Sequence, residues 1–144
     1  MSIHVVRLGD PRGAREGLRL GTVRRPPRGV PKSEFAARDF YDIWLPQLAP
    51  SEELLKEARQ ASTDQGWSAF VRKYRAEMRQ PDNERLLGLL AALSKQTDFS
   101  LGCYCADEAR CHRSILRELL AERGADMAGG PAGGAGPGAT GAVV

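Results

Sequence analysis

Short apolar runs, each bounded by turn-forming residues, predict four extended segments along the chain. Runs of this length, with alternating or continuous apolar character, are typical of half-buried or fully buried strands. The predicted segments are Ile3–Leu8, Arg19–Val23, Asp39–Leu45 and Phe99–Tyr104. The third is rich in aromatic residues and ends at Pro46, so it is either a strand or another extended segment.

Apolar residues at helical spacing predict four helices in the rest of the chain. The first follows Ser51 as its N-cap, and the second follows Asp64 as its N-cap. The third comes after the break at Pro81-Asp82, and the fourth after His112. The second helix carries one apolar stripe, which consists of Trp67, Phe70, Val71, Tyr74 and Met78. A stripe of this kind predicts a helix face packed in the core.

The order of these elements predicts an α/β fold: a single small domain in which helices pack on a short, mostly parallel sheet. The chain has 144 residues, which is enough for one domain with a hydrophobic core. We expect this domain to span residues 1–124. Residues 125–144 are almost entirely Gly, Ala and Pro, and this composition buries too little apolar surface to offset the cost of ordering. We therefore expect a disordered tail that is dispensable for stability.

Positive charge is concentrated at the start of the chain. Residues 1–32 contain eight Lys and Arg against two acidic residues, although the whole chain has a net charge of only +3. Within this segment, prolines exclude a helix or a central strand from Arg24 to Lys32, so these residues form an extended basic loop. Arg24, Arg25 and Arg28 are then candidate ligands for a phosphorylated or nucleotide-like anion, with nucleic acid as a weaker alternative. The competing interpretation is a solvated, Arg-rich surface.

Neither a signal peptide nor a stretch of membrane-spanning length is recognisable, so no membrane partner is expected. The three cysteines are clustered and odd in number, which favours reduced thiols in the cytoplasm over a secreted disulfide framework. Nothing in the sequence indicates an oligomeric state.

The cysteines lie where a predicted strand ends and a predicted helix begins. Cys103, Cys105, Cys111 and His112 together have the composition of a Cys3His zinc site. However, Cys103 and Cys105 are two residues apart on the predicted strand, a spacing unlike that of zinc knuckles. We therefore expect no metal and no cofactor, and name these four residues as the ligands if a metal is bound.

Two other chemistries are open at the same place. Cys111, near a helix start and next to arginines, is a candidate nucleophile, with His112 as acid or base and Cys105 as a redox partner. Alternatively, Arg113, Ser114 and the first N–H groups of the helix bind an anion, and the cysteines only pack in the core. The first chemistry indicates an enzyme or a redox sensor, and the second a binding module. The sequence does not choose between them.

Several motifs resemble the bacterial family known as domain of unknown function 488. They are Arg24–Val30, Tyr41–Pro46, Leu48–Ser51, Phe70–Arg75, the Gly-Cys-Tyr-Cys segment at 102–105 and Cys-His-Arg-Ser at 111–114. The resemblance spans nearly all of residues 1–126. It implies a compact cytoplasmic α/β domain with Cys111, His112 and Arg113 as the suspected site, and it supplies no activity. We expect the basic loop and the segment Cys111–Ser114 to converge on one anion-binding cleft.

Overall fold

The computed structural model describes residues 1–60 and 63–129 of the chain. It contains four strands: β1 (Ile3–Arg7), β2 (Leu18–Gly21), β3 (Ile43–Trp44) and β4 (Phe99–Cys103). All pairings are parallel, and the strands lie in the order β1-β4-β2-β3. Together with four helices they form a single small α/β domain, as predicted.

All four strands are shorter than predicted, because a strand ends where its neighbour no longer offers a pairing partner. β4 is buried at all five positions and lies between β1 and β2. It ends at Cys103, which pairs with Arg7, the last residue of β1. Only Ile43 and Trp44 of the predicted third segment form a strand.

Four helices follow β3 or β4: α1 (Glu52–Gln60), α2 (Asp64–Met78), α3 (Pro81–Leu93) and α4 (His112–Glu122). The main-chain N–H of Leu54 donates to Ser51 Oγ at 3.2 Å, in keeping with the predicted cap of α1. The cap predicted for α2 is wrong by one residue, because Thr63 Oγ1 accepts the N–H of Gly66. Pro81 begins α3, where its missing N–H would have no helical partner in any case.

The main core lies between one face of the sheet and the helices. Leu20, Phe99 and Leu101 from the strands belong to the same apolar cluster as Phe70 and Tyr74 from α2. The other members of the predicted α2 stripe also belong to this cluster: Trp67, Val71 and Met78. The prediction that this stripe faces the core is therefore confirmed.

Loops cover the opposite face of the sheet, and a fully buried arginine holds them there. The Arg19 side chain is inaccessible to solvent and pairs with Glu16 at 2.9 Å. Its terminal nitrogens donate to the carbonyl oxygens of Asp10, Pro11 and Asp39 at 2.6–3.2 Å. Because each of the three guanidinium nitrogens has a partner and Glu16 carries the opposite charge, the buried charge is compensated.

The ordered fold continues past the boundary predicted at residue 124. Met127 forms a parallel bridge with Ile3, on the edge of β1 away from β4. Ile3 N donates to Asp126 O and Ala128 N donates to Ile3 O, both at 2.8 Å. Residues 125–129, which the sequence assigned to the tail, thus pair with the edge of β1, whereas residues 130–144 lie outside the described part of the chain.

The connections that leave β2 and β4 run in opposite directions across the sheet. From β2 the chain proceeds to β3 on one side, and from β4 it returns through α4 to Met127 on the far side of β1. A crevice therefore opens at the carboxyl ends of these neighbouring strands, the place where open α/β sheets bind ligands. Within the described residues, no helix has the length and apolar character needed to cross a membrane.

Candidate functional site

All three cysteines and His112 lie near the carboxyl ends of β2 and β4. None of the cysteines forms a disulfide; Cys103 and Cys111 are buried and Cys105 is exposed. Cys103 Sγ lies 3.8 Å from Cys105 Sγ, and Cys111 Sγ lies 3.6 Å from His112 Nδ1. The ligand atoms of Cys103, Cys111 and His112 are all within 4.8 Å of one another. We call Cys103, Cys105, Cys111 and His112 the thiol cluster.

The surroundings of His112 define which ring nitrogen faces the thiols. His112 Nε2 lies 2.7 Å from Thr22 O, and since a carbonyl only accepts, this nitrogen carries the proton. Nδ1 is then the ring nitrogen directed at Cys111 Sγ, 3.6 Å away. The Tyr74 ring packs edge-on against the imidazole, at 5.6 Å between ring centroids. His112 is thus held by groups from β2 and α2, and only 5% of it is exposed.

Arg113 closes the cluster from the other side and is only 3% exposed. Its terminal nitrogens donate to Val6 O and Cys105 O, both at 2.6 Å, and its Nε donates to Cys111 Sγ at 3.4 Å. These contacts join the end of β1 to the loop after β4. They differ from the anion contact predicted for Arg113, because both terminal nitrogens already bind main-chain carbonyls.

The environment of Cys111 favours its thiolate. Hydrogen bonding to the neighbouring thiols of Cys103 and Cys105 lowers the pKa of Cys111 despite its burial. Hydrogen bonds to Cys105 and Cys111 raise the pKa of Cys103. Only 3% of Cys111 is exposed, so its sulfur lies inside the domain, and Cys105 is the thiol that reaches solvent.

The arginines of the basic loop have three different environments. Arg24 donates to the carbonyls of Ala49 and Pro50 and so anchors the loop to the start of α1. Arg25 pairs with Glu52 in an exposed contact, and Arg28 is exposed. Ser114 Oγ donates to Cys111 O within the first turn of α4. Of the predicted anion ligands, Arg25 and Arg28 are therefore the ones whose side chains are exposed.

A groove of about 700 Å³ lies between the basic loop and the loop after β4. It is lined by Arg25, Pro26, Pro27, Arg28, Phe40 and Tyr104. The Tyr104 hydroxyl donates to Arg25 O at 2.8 Å, and the Phe40 and Tyr104 rings lie edge-to-face with centroids 6.4 Å apart. Arg7 Nε donates to Tyr104 O at 3.2 Å. Tyr104 thus joins the basic loop to the segment that carries the cysteines.

Sequence reasoning missed three side chains of this region. Thr22 and Tyr74 contact His112 from distant parts of the chain, and no local pattern indicates those contacts. Tyr104, in contrast, lies between two candidate cysteines, and its amphipathic ring was a signal that could have been used.

Comparison with known proteins agrees with the motifs noted above. The family model described as the active DUF488-N3 subclade (DUF488-N3a) matches residues 3–124. The uncharacterized protein YeaO of Escherichia coli (strain K12) is 28% identical over 120 residues, which cover 83% of this chain and 97% of that protein. No solved structure matches significantly. Because this family model matches most of the chain, including both walls of the groove and the whole thiol cluster, the chain belongs to the DUF488 family.

Proposed function

We propose that the protein binds a phosphorylated, nucleotide-like anion in the groove between the basic loop and Tyr104. The observation that carries this proposal is the combination of two exposed arginines with two aromatic rings in a single groove. Arginine provides a planar, multidentate grip on a phosphate, and an aromatic ring provides a stacking surface for a base.

The charged side of the groove supports an incoming anion. Arg28 makes no ion pair within the described residues, and Arg25 has only the exposed contact to Glu52. Exposed ion pairs contribute little free energy, so a phosphate can replace Glu52 at small cost. Arg7 adds a third positive charge behind Tyr104.

The aromatic side distinguishes a nucleotide from a simple anion. Phe40 and Tyr104 are both half-buried, so part of each ring remains accessible. Stacking of a base on such a ring contributes about 1–3 kcal/mol. A ligand with both a base and a phosphate therefore gains from both sides of the groove.

Arg113 and Ser114, which the sequence placed in this cleft, are left out of the proposal. Their polar groups bind main-chain oxygens instead: Val6 and Cys105 for Arg113, and Cys111 for Ser114. The proposed site therefore consists of the basic loop and the loop after β4, and the start of α4 is not part of it. The location at the carboxyl ends of β2 and β4 supports this choice.

Calorimetric titration tests the proposal with nucleoside 5′-monophosphates, the matching nucleosides and inorganic phosphate. We expect the nucleotides to bind most tightly, since only they engage both sides of the groove. Arg28→Ala removes a charge-assisted hydrogen bond and should weaken nucleotide binding by roughly 10- to 150-fold, or about 1.5–3 kcal/mol. Tyr104→Ala should weaken nucleotide binding but leave phosphate binding unchanged.

Arg72→Ala is the matched control, because it removes an exposed arginine from α2 and leaves the groove intact. Its affinity for nucleotides should equal that of the wild type. Equal losses in Arg28→Ala and Arg72→Ala would reduce the effect to net charge and contradict a defined site. Nucleotides that bind no more tightly than phosphate would contradict the role of the rings.

A further inference from the structure

We propose that the thiol cluster is a zinc site, in which Cys103, Cys105 and Cys111 bind through Sγ and His112 through Nδ1. The site is independent of the groove and lies behind it, at the base of the loop that carries Tyr104. The expectation that no metal is bound depended on placing Cys103 and Cys105 on one strand. β4 ends at Cys103, so Cys105 belongs to a loop and its thiol is free to turn toward the others.

Two distances within the cluster match those of a tetrahedral zinc ion. With Zn–S bonds of about 2.3 Å and a Zn–N bond of about 2.05 Å, a tetrahedron separates two sulfurs by about 3.8 Å and a sulfur from a nitrogen by about 3.6 Å. Cys103 Sγ and Cys105 Sγ are 3.8 Å apart, and Cys111 Sγ and His112 Nδ1 are 3.6 Å apart. Cys103 Sγ, Cys111 Sγ and a ring nitrogen of His112 all lie within 4.8 Å of one another, whereas Cys105 Sγ is outside that set and has to turn inward to become the fourth ligand.

The second ring nitrogen of His112 has the partner that zinc-binding histidines require. A metal-bound imidazole donates its remaining N–H to a carbonyl or carboxylate, and this contact fixes the ring. Nε2–H donates to Thr22 O at 2.7 Å, which leaves Nδ1 bare and directed at the thiols. Tyr74 holds the ring from α2, and the Tyr74 hydroxyl is bound to Leu48 O.

Charge balance points to the same conclusion. A buried arginine cation requires a compensating negative charge. The partners of Arg113 in the described residues are two carbonyl oxygens and Cys111 Sγ, and no carboxylate is among them. Zinc bound by three thiolates and a neutral imidazole has a net charge of −1, which neutralises the guanidinium. The thiols release their protons to solvent when the metal binds.

Soft thiolates with one imidazole in a closed tetrahedron are typical of structural zinc. Four protein ligands leave no open position, so the ion would stabilise the loop after β4 and would not activate water. Exposed Cys105 gives the metal a path to the buried ligands.

Metal analysis and cobalt substitution of the full chain test the site. Protein prepared under reducing conditions should contain one zinc per chain. The metal-free protein should bind one Co²⁺ with the visible absorption of a tetrahedral ion and the near-ultraviolet charge-transfer band of thiolate ligation, and Zn²⁺ should abolish both. Metal-free protein that shows neither absorption with excess Co²⁺, while its three thiols react freely, overturns the proposal.

Cys105→Ser tests the ligand set without touching the core, since Cys105 is exposed. Loss of a ligand should weaken cobalt binding by more than the roughly 10-fold that follows loss of an outer-shell partner, and should reduce the charge-transfer band. His4→Gln changes the other histidine of the chain, outside the cluster, and should leave spectrum and affinity unchanged. A cobalt spectrum unaffected by Cys105→Ser would mean binding elsewhere and would overturn the four-ligand site.

Discussion

Gly21 illustrates how closely individual residues pack on the loop face of the sheet. A Cβ atom at this position would lie 2.4 Å from Cδ2 of the buried Tyr41 ring, far inside van der Waals contact. Gly21→Ala should therefore destabilise the protein by about 1–3 kcal/mol, the usual cost of overpacking, as measured by denaturant unfolding.

Gly88→Ala is the same chemical change as Gly21→Ala, but we expect it to have the opposite effect on stability. Gly88 lies inside α3, and apart from its neighbours and the backbone of that helix no atom of the described residues lies within 4 Å of the position its Cβ would take. Alanine there should stabilise the protein by about 0.5–1 kcal/mol, because it restricts the unfolded chain and favours the helix. Equal effects of the two substitutions would contradict the described packing of Tyr41 on Gly21.

The Asp42 carboxylate is expected to contribute to the loss of folding stability at acidic pH. Burial raises the pKa of Asp42, but hydrogen bonds from Arg12 and from the main chain of Arg19, together with their charges, bring the pKa below its usual value. A carboxyl group whose pKa is lower in the folded protein than in the unfolded protein stabilises the fold. That stabilisation is complete at pH values above the pKa of the unfolded chain, about 4, and is lost as the pH falls through the pKa of the folded protein.

Asp42→Asn should therefore make the loss of stability below about pH 4 shallower than in the wild type, as followed by denaturant unfolding at a series of pH values. Asp82→Asn removes the same charge from a fully exposed position on α3 and is the matched control. If the stability of Asp42→Asn fell with decreasing pH as steeply as that of the wild type, the contact between Arg12 and Asp42 would have no energetic role.

Single residues whose contacts are distant in sequence were the least predictable. Arg19 is one of the eight Lys and Arg of residues 1–32, yet its side chain is fully buried and donates to Asp39 O, 20 residues away. The proton position of His112 depends on Thr22, 90 residues away. Composition and periodicity describe local preferences, so they do not report partners that only the fold brings together.

At the scale of elements, residues 125–129 act as an additional edge of the sheet. They bind Ile3 through two main-chain hydrogen bonds, and the Arg117 guanidinium donates to the carbonyls of Ala128 and Gly129. A chain ending at Gly124 should be less stable than one ending at Gly129 by about 2–6 kcal/mol, given about 0.5–1.5 kcal/mol for each of these four hydrogen bonds.

Thermal unfolding of the two truncated chains measures this difference directly, with the chain ending at Gly129 as the control. Equal melting temperatures would restore the original boundary at residue 124. The sequence missed this pairing because Gly- and Ala-rich segments lack the apolar alternation that identifies strands.

Helices and strands with a clear pattern of apolar residues were predicted correctly, but the residues at which they end were not. The stripe of α2 identified both the helix and its buried face, because helical periodicity is a local property. The end of β4 depends instead on where β1 and β2 stop offering partners, at Arg7 and Gly21. That dependence is why Cys105 was placed on the strand, and why its approach to the other thiols was not foreseen.

At the scale of the whole molecule, the fold distributes the N-terminal positive charge unevenly. Arg12, Arg19 and Arg24 bind acidic side chains or main-chain oxygens within the domain. Arg25 and Arg28 remain at the groove, next to Phe40 and Tyr104. The basic character seen in the sequence thus supports a local binding site better than a general attraction to polyanions.

Nuclear magnetic resonance of ¹⁵N-labelled protein during titration with a nucleoside 5′-monophosphate tests this account most directly, because it locates the ligand on the chain. We predict saturable shifts centred on the amides of Arg25, Arg28, Phe40 and Tyr104, the lining residues of the groove that carry an N–H. Shifts centred instead on the apolar groove beside Leu18, Leu89 and Leu93, or no saturable shift at all, would contradict the proposed anion site.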